Sequence, residues 1–290
     1  MDTKINNDSP SWKTDDDFYP ADWEPKEKGS IKKSVPPPLP RKGEWHFNWF
    51  SNMLPLDEPF VYQNISYFTA ENFYQSMKVS RDRTDLRRQI ADMDAKKSKI
   101  AIRDKIKFPL DPEWTREKSI KVMEFALRKK FFPGTSWNKK LMETGEEELV
   151  EWVNWNDRFW GRDIATQKGE NVLGRILMHL RKEYRETRVI NKSSGEKGVS
   201  VMRGSPFGNK WTHIKDRNTL AEFIVETRKE AIQKFKENFL ERVKTDRDFK
   251  DSVLKLKNET LMCCCLPKAC HAEVIRDWLF EQPSFKYNKI

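Results

Sequence analysis

Residues 59–78 read PFVYQNISYFTAENFYQSMK, and this run constrains the fold more than any other. Its first half has the residue pattern of two short strands around a Gln63-Asn64 turn. The second strand leads straight into a helix for which Thr69 is the natural N-cap. Glu71 therefore falls in the first helical turn, where unpaired N–H groups and the macrodipole favour negative charge and keep a carboxylate ionised. Dipole compensation is the plain reading of Glu71. A chemical role depends on what the rest of the chain supplies.

The chain has 290 residues, which suits two domains. Hydrophobic residues make up only 37% and charged residues 34%, yet 18 Phe and 11 Trp give it the material for sizeable cores. A net charge of +10 and a pI near 9.3 point to an anionic partner, nucleic acid or a phosphorylated metabolite. No apolar run reaches membrane-spanning length, and MDTKINNDSP has no signal-peptide pattern. All four cysteines lie between 263 and 270, which is not the spread of a disulfide framework. The expectation is a cytoplasmic protein, of the host cell if virus-encoded, with no membrane association.

Residues 1–42 read as an acidic, aromatic arm ending in the polyproline-like spacer SVPPPLPRK, whose Pro37, Pro40 and Lys42 loosely fit a proline-rich ligand. A first domain spans 43–187, with helical patterns at 84–106, 115–131 and 137–143, a C-cap at Gly145, and a final striped helix NVLGRILMHLRKEYRE. The polar stretch NKSSGEKG marks a boundary. A small α/β domain follows over 188–290: a strand VSVM, the loop RGSPFGNKW, a helix over 219–243, a buried strand TLMCCCL and a helix from CHAEVIRDWL.

Three segments of the first domain concentrate glycosidic residue types. FSN supplies Asn52, ENFYQSMK supplies Glu71 and Lys78, and LVEWVNWNDRFWG supplies Glu151, Asp157, Trp160 and Gly161. With VMEFALRKKF, TGEEELVE and GENVLGRILMHLR they resemble the NADAR family, also described as riboflavin-intermediate N-glycosidases, in order and near-family spacing over most of the domain. The resemblance implies an α+β fold, mainly helical with small β elements, and cleavage of a bond between ribosyl C1′ and nitrogen. Glu71 matches the catalytic glutamate of the family. Such a reaction builds oxocarbenium charge on the sugar, which a carboxylate stabilises while taking a proton from water. Asp157 would be the second carboxylate, Trp114 and Trp160 the stacking partners of the base, Lys78 and Arg175 the phosphate ligands, and Asn52 and Asn171 the partners of sugar hydroxyls or the base edge. Asn72 stands where the family has His, and Glu151 and Asp157 are one residue further apart than usual.

LMCCCLPKACH poses a separate question. Strand alternation puts Cys263 and Cys265 on one face, with Cys270 and His271 near a helix N-terminus. Zinc ligation, a reactive thiolate and plain buried thiols all fit the residue types. C-x-C within a strand and an adjacent Cys-His pair are awkward for one tetrahedron, so the expectation is no bound metal. Together with RGSPFGN, the segment resembles a small domain of unknown function found in phage and bacterial proteins. Arg203, Ser205 and Asn209 with the helix end at Cys270 would then be an anion cradle.

The expected activity is hydrolysis of a C1′–N bond without a cofactor. The favoured substrate is ADP-ribosylated guanine in nucleic acid, and the alternatives are a phosphoribosyl-aminouracil or a non-catalytic ADP-ribose- or nucleic-acid-binding module. The activity should survive loss of everything after about residue 190. The sequence leaves protein partners open.

Overall fold

The structure is a computed structural model that describes the backbone of 44–46 and residues 51–153, 157–215 and 219–288. The acidic, proline-rich arm lies outside these residues. The described chain divides into two compact units, one running to His179 and resuming at Pro283, the other spanning Leu180–Gln282.

In the first unit, strand β1 (Glu44–His46) pairs in parallel with β4 (Glu148–Val150). β2 (Pro55–Tyr62) and β3 (Ile65–Thr69) form the expected antiparallel hairpin, with Phe60 opposite Tyr67 and Tyr62 opposite Ile65. Gln63 and Asn64 both have positive φ, 53° and 59°, as a two-residue turn matched to strand twist requires. The buried face of the hairpin packs on helix α1 (Ala70–Ser76), with Tyr67 and Phe73 edge to face at 5.0 Å. Thr69 caps α1, its hydroxyl accepting from the Asn72 N–H at 3.0 Å.

The helical pattern over 84–106 resolves into α2 (Thr84–Ala91) and α3 (Ala95–Ala101). The break falls at Asp94, whose side chain accepts from the N–H groups of Lys96 and Lys97 and so starts a new helix. α4 (Arg116–Lys130) buries Ile120, Met123 and Leu127, and Phe131 continues that face. α5 (Ser136–Glu143) ends before Gly145, whose φ of 60° is the anticipated left-handed cap. The short parallel pair β5 (Trp152–Val153) and β6 (Arg162–Asp163) precedes α6 (Val172–Glu186).

The chain changes unit inside α6 rather than in NKSSGEKG. The last turns of that helix pack within the second unit, where Tyr184 meets Phe280 at 4.7 Å. β11 (Leu261–Cys263) is the central strand there, flanked in parallel by β7 (Val189–Asn191) and β8 (Val199–Ser200). β9 (Trp211–Thr212) and β10 (Phe223–Ile224) pair beside α7 (Arg228–Thr245), which packs in turn with α8 (Arg247–Leu254) and α9 (His271–Glu281). The expected helix over 219–243 starts late because 223–224 are taken by β10 and Thr227 supplies the cap. The core gathers Val201, Phe235, Phe239, Leu261, Ile275 and Leu279.

One interaction ties the end of the chain to the first unit. Glu124 and Arg128, each 1% exposed, pair at 2.7 Å within α4. Glu124 Oε1 also accepts from the N–H groups of Ser284 and Phe285, at 2.8 and 3.0 Å. Removing one member of such a pair leaves an uncompensated buried charge, which costs about 3–5 kcal/mol. Glu124→Ala should lower the first-unit unfolding free energy by that order in urea titration and expose residues 283–288 to proteolysis. A loss below about 1 kcal/mol would mean that the pair is hydrated in solution.

Candidate active site

Glu71 sits one residue into α1, buried at 6% exposure. Its N–H donates to the Asn52 carbonyl at 2.9 Å, so the loop before the hairpin and the helix start are joined. One turn on, the Gln75 amide donates to Glu71 Oε1 at 2.7 Å, which fixes the carboxylate with a neutral partner. Two buried oxygens flank this arrangement without a hydrogen-bond partner among the described residues: Asn52 Oδ1 and Gln75 Oε1. Buried acceptors are ordinarily satisfied, so such a pair is suited to a bound donor such as water or a sugar hydroxyl.

Glu151, Asp157 and Lys78 share the electrostatic field of Glu71. Burial pushes the Glu151 carboxyl up to about 8; Lys99 opposes this, and the charges of Asp157 and Glu71 add to it. A carboxyl at that level is mostly protonated at neutral pH and can donate a proton. Burial lowers Lys78 to about 8 against the attraction of Glu71, with Lys105 and Lys99 lowering it further. Asp157 accepts from the N–H groups of Phe159 and Trp160, at 3.2 and 3.0 Å, and so shapes the turn that presents Trp160.

Aromatic rings border the carboxylates. Tyr74 meets Trp114 and Trp160 edge to face, each at 5.7 Å, and the Lys78 ammonium lies 4.6 Å from the Tyr74 ring centre. Burial raises the Tyr74 phenol, which is bonded to Ser119 and Trp160. Lys130 is buried beyond Glu151, its ammonium donating to the Ser51 carbonyl at 2.6 Å and brought down to about 7 by burial. The structure thus brings Asn52, Glu71, Lys78, Trp114, Glu151, Asp157 and Trp160 together electrostatically or by contact. It adds Tyr74, Gln75, Lys99, Lys105 and Lys130. Tyr74 and Gln75 were accessible from the i+3 and i+4 spacing after Glu71. The lysines reach the site through tertiary packing that no local pattern encodes.

Residues 41–185 match the NADAR domain, half of the chain. The chain belongs to the NADAR family. Residues 185–281 match a domain of unknown function, DUF4326. A riboflavin biosynthesis protein of Vibrio vulnificus, VVA0006, is 34% identical over 122 residues, which cover 41% of this chain and 31% of that protein. The chain thus spans under a third of that relative. An uncharacterised 12.4 kDa protein of Enterobacteria phage T4 is 33% identical over 89 residues, 30% of this chain and 72% of that one. The NMR structure of YbiA from E. coli aligns with a TM-score of 0.42 and 27% identity, over 50% of this chain and 86% of that one. The NADAR family is associated with N-glycosidase chemistry. No helix among the described residues is long and apolar enough to cross a membrane.

Other anticipated NADAR-domain residues have structural work. Asn171, in the left-handed region at φ 50°, accepts from the Glu151 N–H at 2.9 Å and donates to the Leu149 carbonyl at 2.8 Å. Its amide therefore positions the Glu151 backbone rather than reaching for substrate. Gly161 is needed for close approach: a Cβ there would lie 2.3 Å from the Glu151 carbonyl oxygen. Arg175 donates to the Asn288 carbonyl at 3.0 Å and faces the Phe285 and Tyr287 rings, so the carboxy-terminal segment holds the guanidinium proposed for phosphate. Because 283–288 belong to the first unit, truncation near 190 removes contacts to Glu124 and Arg175 and is no neutral deletion.

The second-unit residues also divide. Arg203 donates to the carbonyls of Asn209 and Trp211, Ser205 to that of Met202, and Asn209 to that of Ala231. These groups tie the SPFGN loop to itself and to α7, so the anion cradle is not formed by them. Cys263, Cys265, Cys270 and His271 do converge, with ligand atoms all within 4.8 Å of one another. The expected obstacle to one tetrahedron is removed by the helix start: Cys270 is extended, at φ −136° and ψ 142°, and His271 opens the helix. The change in backbone direction turns successive side chains towards one point.

The Glu151 carboxyl has a thermodynamic signature. Its folded value lies above the ordinary 4.5, so its contribution is fully present below about 4.5 and lost as pH rises through about 8. Glu151→Gln removes the titration without changing shape. The variant should gain stability over the parent progressively between those pH values and then hold the gain, measured as the difference in melting temperature. A difference that stays flat from pH 4 to 9 would show Glu151 to be an ordinary carboxylate.

Proposed function

We propose that the first unit hydrolyses a ribosyl C1′–N bond, and that its substrate is ADP-ribose joined to guanine in nucleic acid. The observation that carries this reading is that two carboxyls with different partners share one electrostatic field. Glu71 is held by a neutral amide, and Glu151 is raised to about 8. As the C1′–N bond breaks, its electron pair leaves with the base and positive charge develops on the sugar. Glu71 stabilises that charge and takes a proton from the attacking water, whose oxygen bonds to C1′. Glu151 delivers a proton to the departing nitrogen. Tyr74, Trp114 and Trp160 offer the base a stacking surface, worth about 1–3 kcal/mol per base. Lys78, with Lys99 and Lys105 in the same field, supplies positive charge for phosphates.

Asp157 orients the Trp160 turn and adds negative charge beside Glu151. The net charge of +10 suits a polyanionic substrate. A phosphoribosyl-aminouracil is the second reading, favoured by the name of the Vibrio relative. Product mass spectrometry after incubation with ADP-ribosylated guanosine and with the aminouracil distinguishes them. Release of neither base would leave a binding module.

Glu71→Gln keeps the side-chain shape and its neighbours but cannot accept the proton or balance the cation. Turnover should fall at least about 10²-fold, roughly 3 kcal/mol of transition-state stabilisation, with folding nearly unchanged. Retention of more than a tenth of kcat would return Glu71 to dipole compensation.

A polymer substrate carries a further signature. Each phosphate contact releases counterions, so apparent affinity for an oligonucleotide should drop steeply with added salt, and for the mononucleoside form much less. Equal salt slopes for the two would remove nucleic acid as the substrate and leave the small molecule.

A further inference from the structure

We propose that the second unit binds one zinc ion through Cys263, Cys265, Cys270 and His271, at a closed structural site. Cys263 ends β11 and Cys265 follows the bend just beyond it, where the anticipated longer strand stops, and their sulfurs lie 3.8 Å apart. His271 Nδ1 lies 4.0 Å from Cys263 Sγ and 3.8 Å from Cys270 Sγ, and no pair of the four ligand atoms exceeds 4.8 Å. In a zinc tetrahedron with Zn–S near 2.3 Å and Zn–N near 2.0 Å, ligand–ligand edges are about 3.5–3.8 Å. Two of the separations match such edges and the rest exceed them by up to about 1 Å, so small side-chain shifts close one mononuclear site. Three thiolates and an imidazole are the donor set that favours zinc among common divalent ions.

The outer partners point the same way. His271 Nε2 lies 2.8 Å from the Val201 carbonyl, a bond in which the ring must donate. That fixes the tautomer with the Nδ1 lone pair turned towards the three sulfurs, the usual support for a ligating histidine. Val201 itself donates to Met262 at 3.0 Å, so this support is part of the same sheet that carries Cys263. The Phe235 ring stands edge to face against His271 at 4.9 Å and shields it. Three of the four ligands are buried. Cys270 also caps α9, accepting from the Ala272 N–H, so the positive end of the helix dipole faces the anionic site. With four protein ligands there is no open position for water, and the ion joins the end of β11 to the start of α9. Cys264, in the bend after β11, is exposed and takes no part.

The test uses the full chain, purified without chelator. Elemental analysis should give about one zinc per chain, and cobalt(II) added to metal-stripped protein should develop the absorption of a tetrahedral thiolate site. Cys264→Ser should retain both signals, while Cys265→Ser, which alters the partly exposed ligand and disturbs the core least, should lower bound zinc at least about tenfold. Chelator should lower the melting temperature of the parent chain and leave that of Cys265→Ser unchanged. Folded parent protein with less than about a tenth of a zinc per chain and no cobalt spectrum overturns the site, whatever other metal it carries. Full zinc content in folded Cys265→Ser overturns this ligand set.

Discussion

The first unit is built around charged groups that it cannot leave in water. In a chain with 37% hydrophobic and 34% charged residues, its helices bury Glu71, Glu124, Arg128 and Lys130 as well as apolar side chains. The Glu124–Arg128 pair in α4 is the anchor of this arrangement, because it neutralises itself along the helix and still has acceptor capacity for Ser284 and Phe285. Met123 and Leu127 on the same helix then pack inward, and Met123 meets the Asn52 amide at 3.4 Å. The position of Asn52 in turn sets the start of α1. A charged core helix and the candidate carboxylate are thus joined through two contacts.

The contrast between paired and loosely paired charges separates scaffold from site. Glu124 takes a guanidinium; Glu71 takes the neutral amide of Gln75. A carboxylate already neutralised by arginine has little charge left to offer a developing cation. One held by an amide is not neutralised by that partner and loses its freedom to rotate, which is the state that preorganised electrostatic catalysis calls for. The same economy applies at Glu151, where Asn171 and Gly161 act on the backbone and leave the carboxyl to its neighbours.

What was legible in the sequence follows from how local its cause is. The hairpin, its Gln63-Asn64 turn, the Thr69 cap and the Gly145 terminus each depend on a few adjacent residues, and all are present. The amphipathic stripe of α4 was equally readable. The split at Asp94 was local too, but the continuing apolar pattern hid a cap residue in mid-run. Asn171 looked like a polar group free for substrate because sequence shows its side chain and not the strand carbonyls that bind it. Arg175 depended on residues 285–288, more than a hundred positions away, and no periodicity reports such a partner. Residues 283–288 of the small-domain segment return to the first unit, a long-range step of the same kind.

The cysteine cluster shows how a sound local rule can give the wrong geometry. The strand ends at Cys263, so a bend and not strand alternation brings the Cys265 sulfur beside that of Cys263, while adjacent residues in a uniform backbone do point apart. The rule lapses where the backbone stops being uniform. At residues 270–271 the chain passes from extended to helical in one step, and that step is enforced by a capping box in which Glu273 accepts from the Cys270 N–H while the Cys270 sulfur accepts from the helix. The cap that starts α9 therefore also aims Cys270 and His271 at the sulfurs of Cys263 and Cys265. Because β11 is central in its sheet and held by β7 and β8 on both edges, neither side of the cluster can move independently of the core. The end of β11, the bend after it and the α9 cap thus bring the four ligands together, and an ion binding there would contribute stability without having to organise the fold around itself.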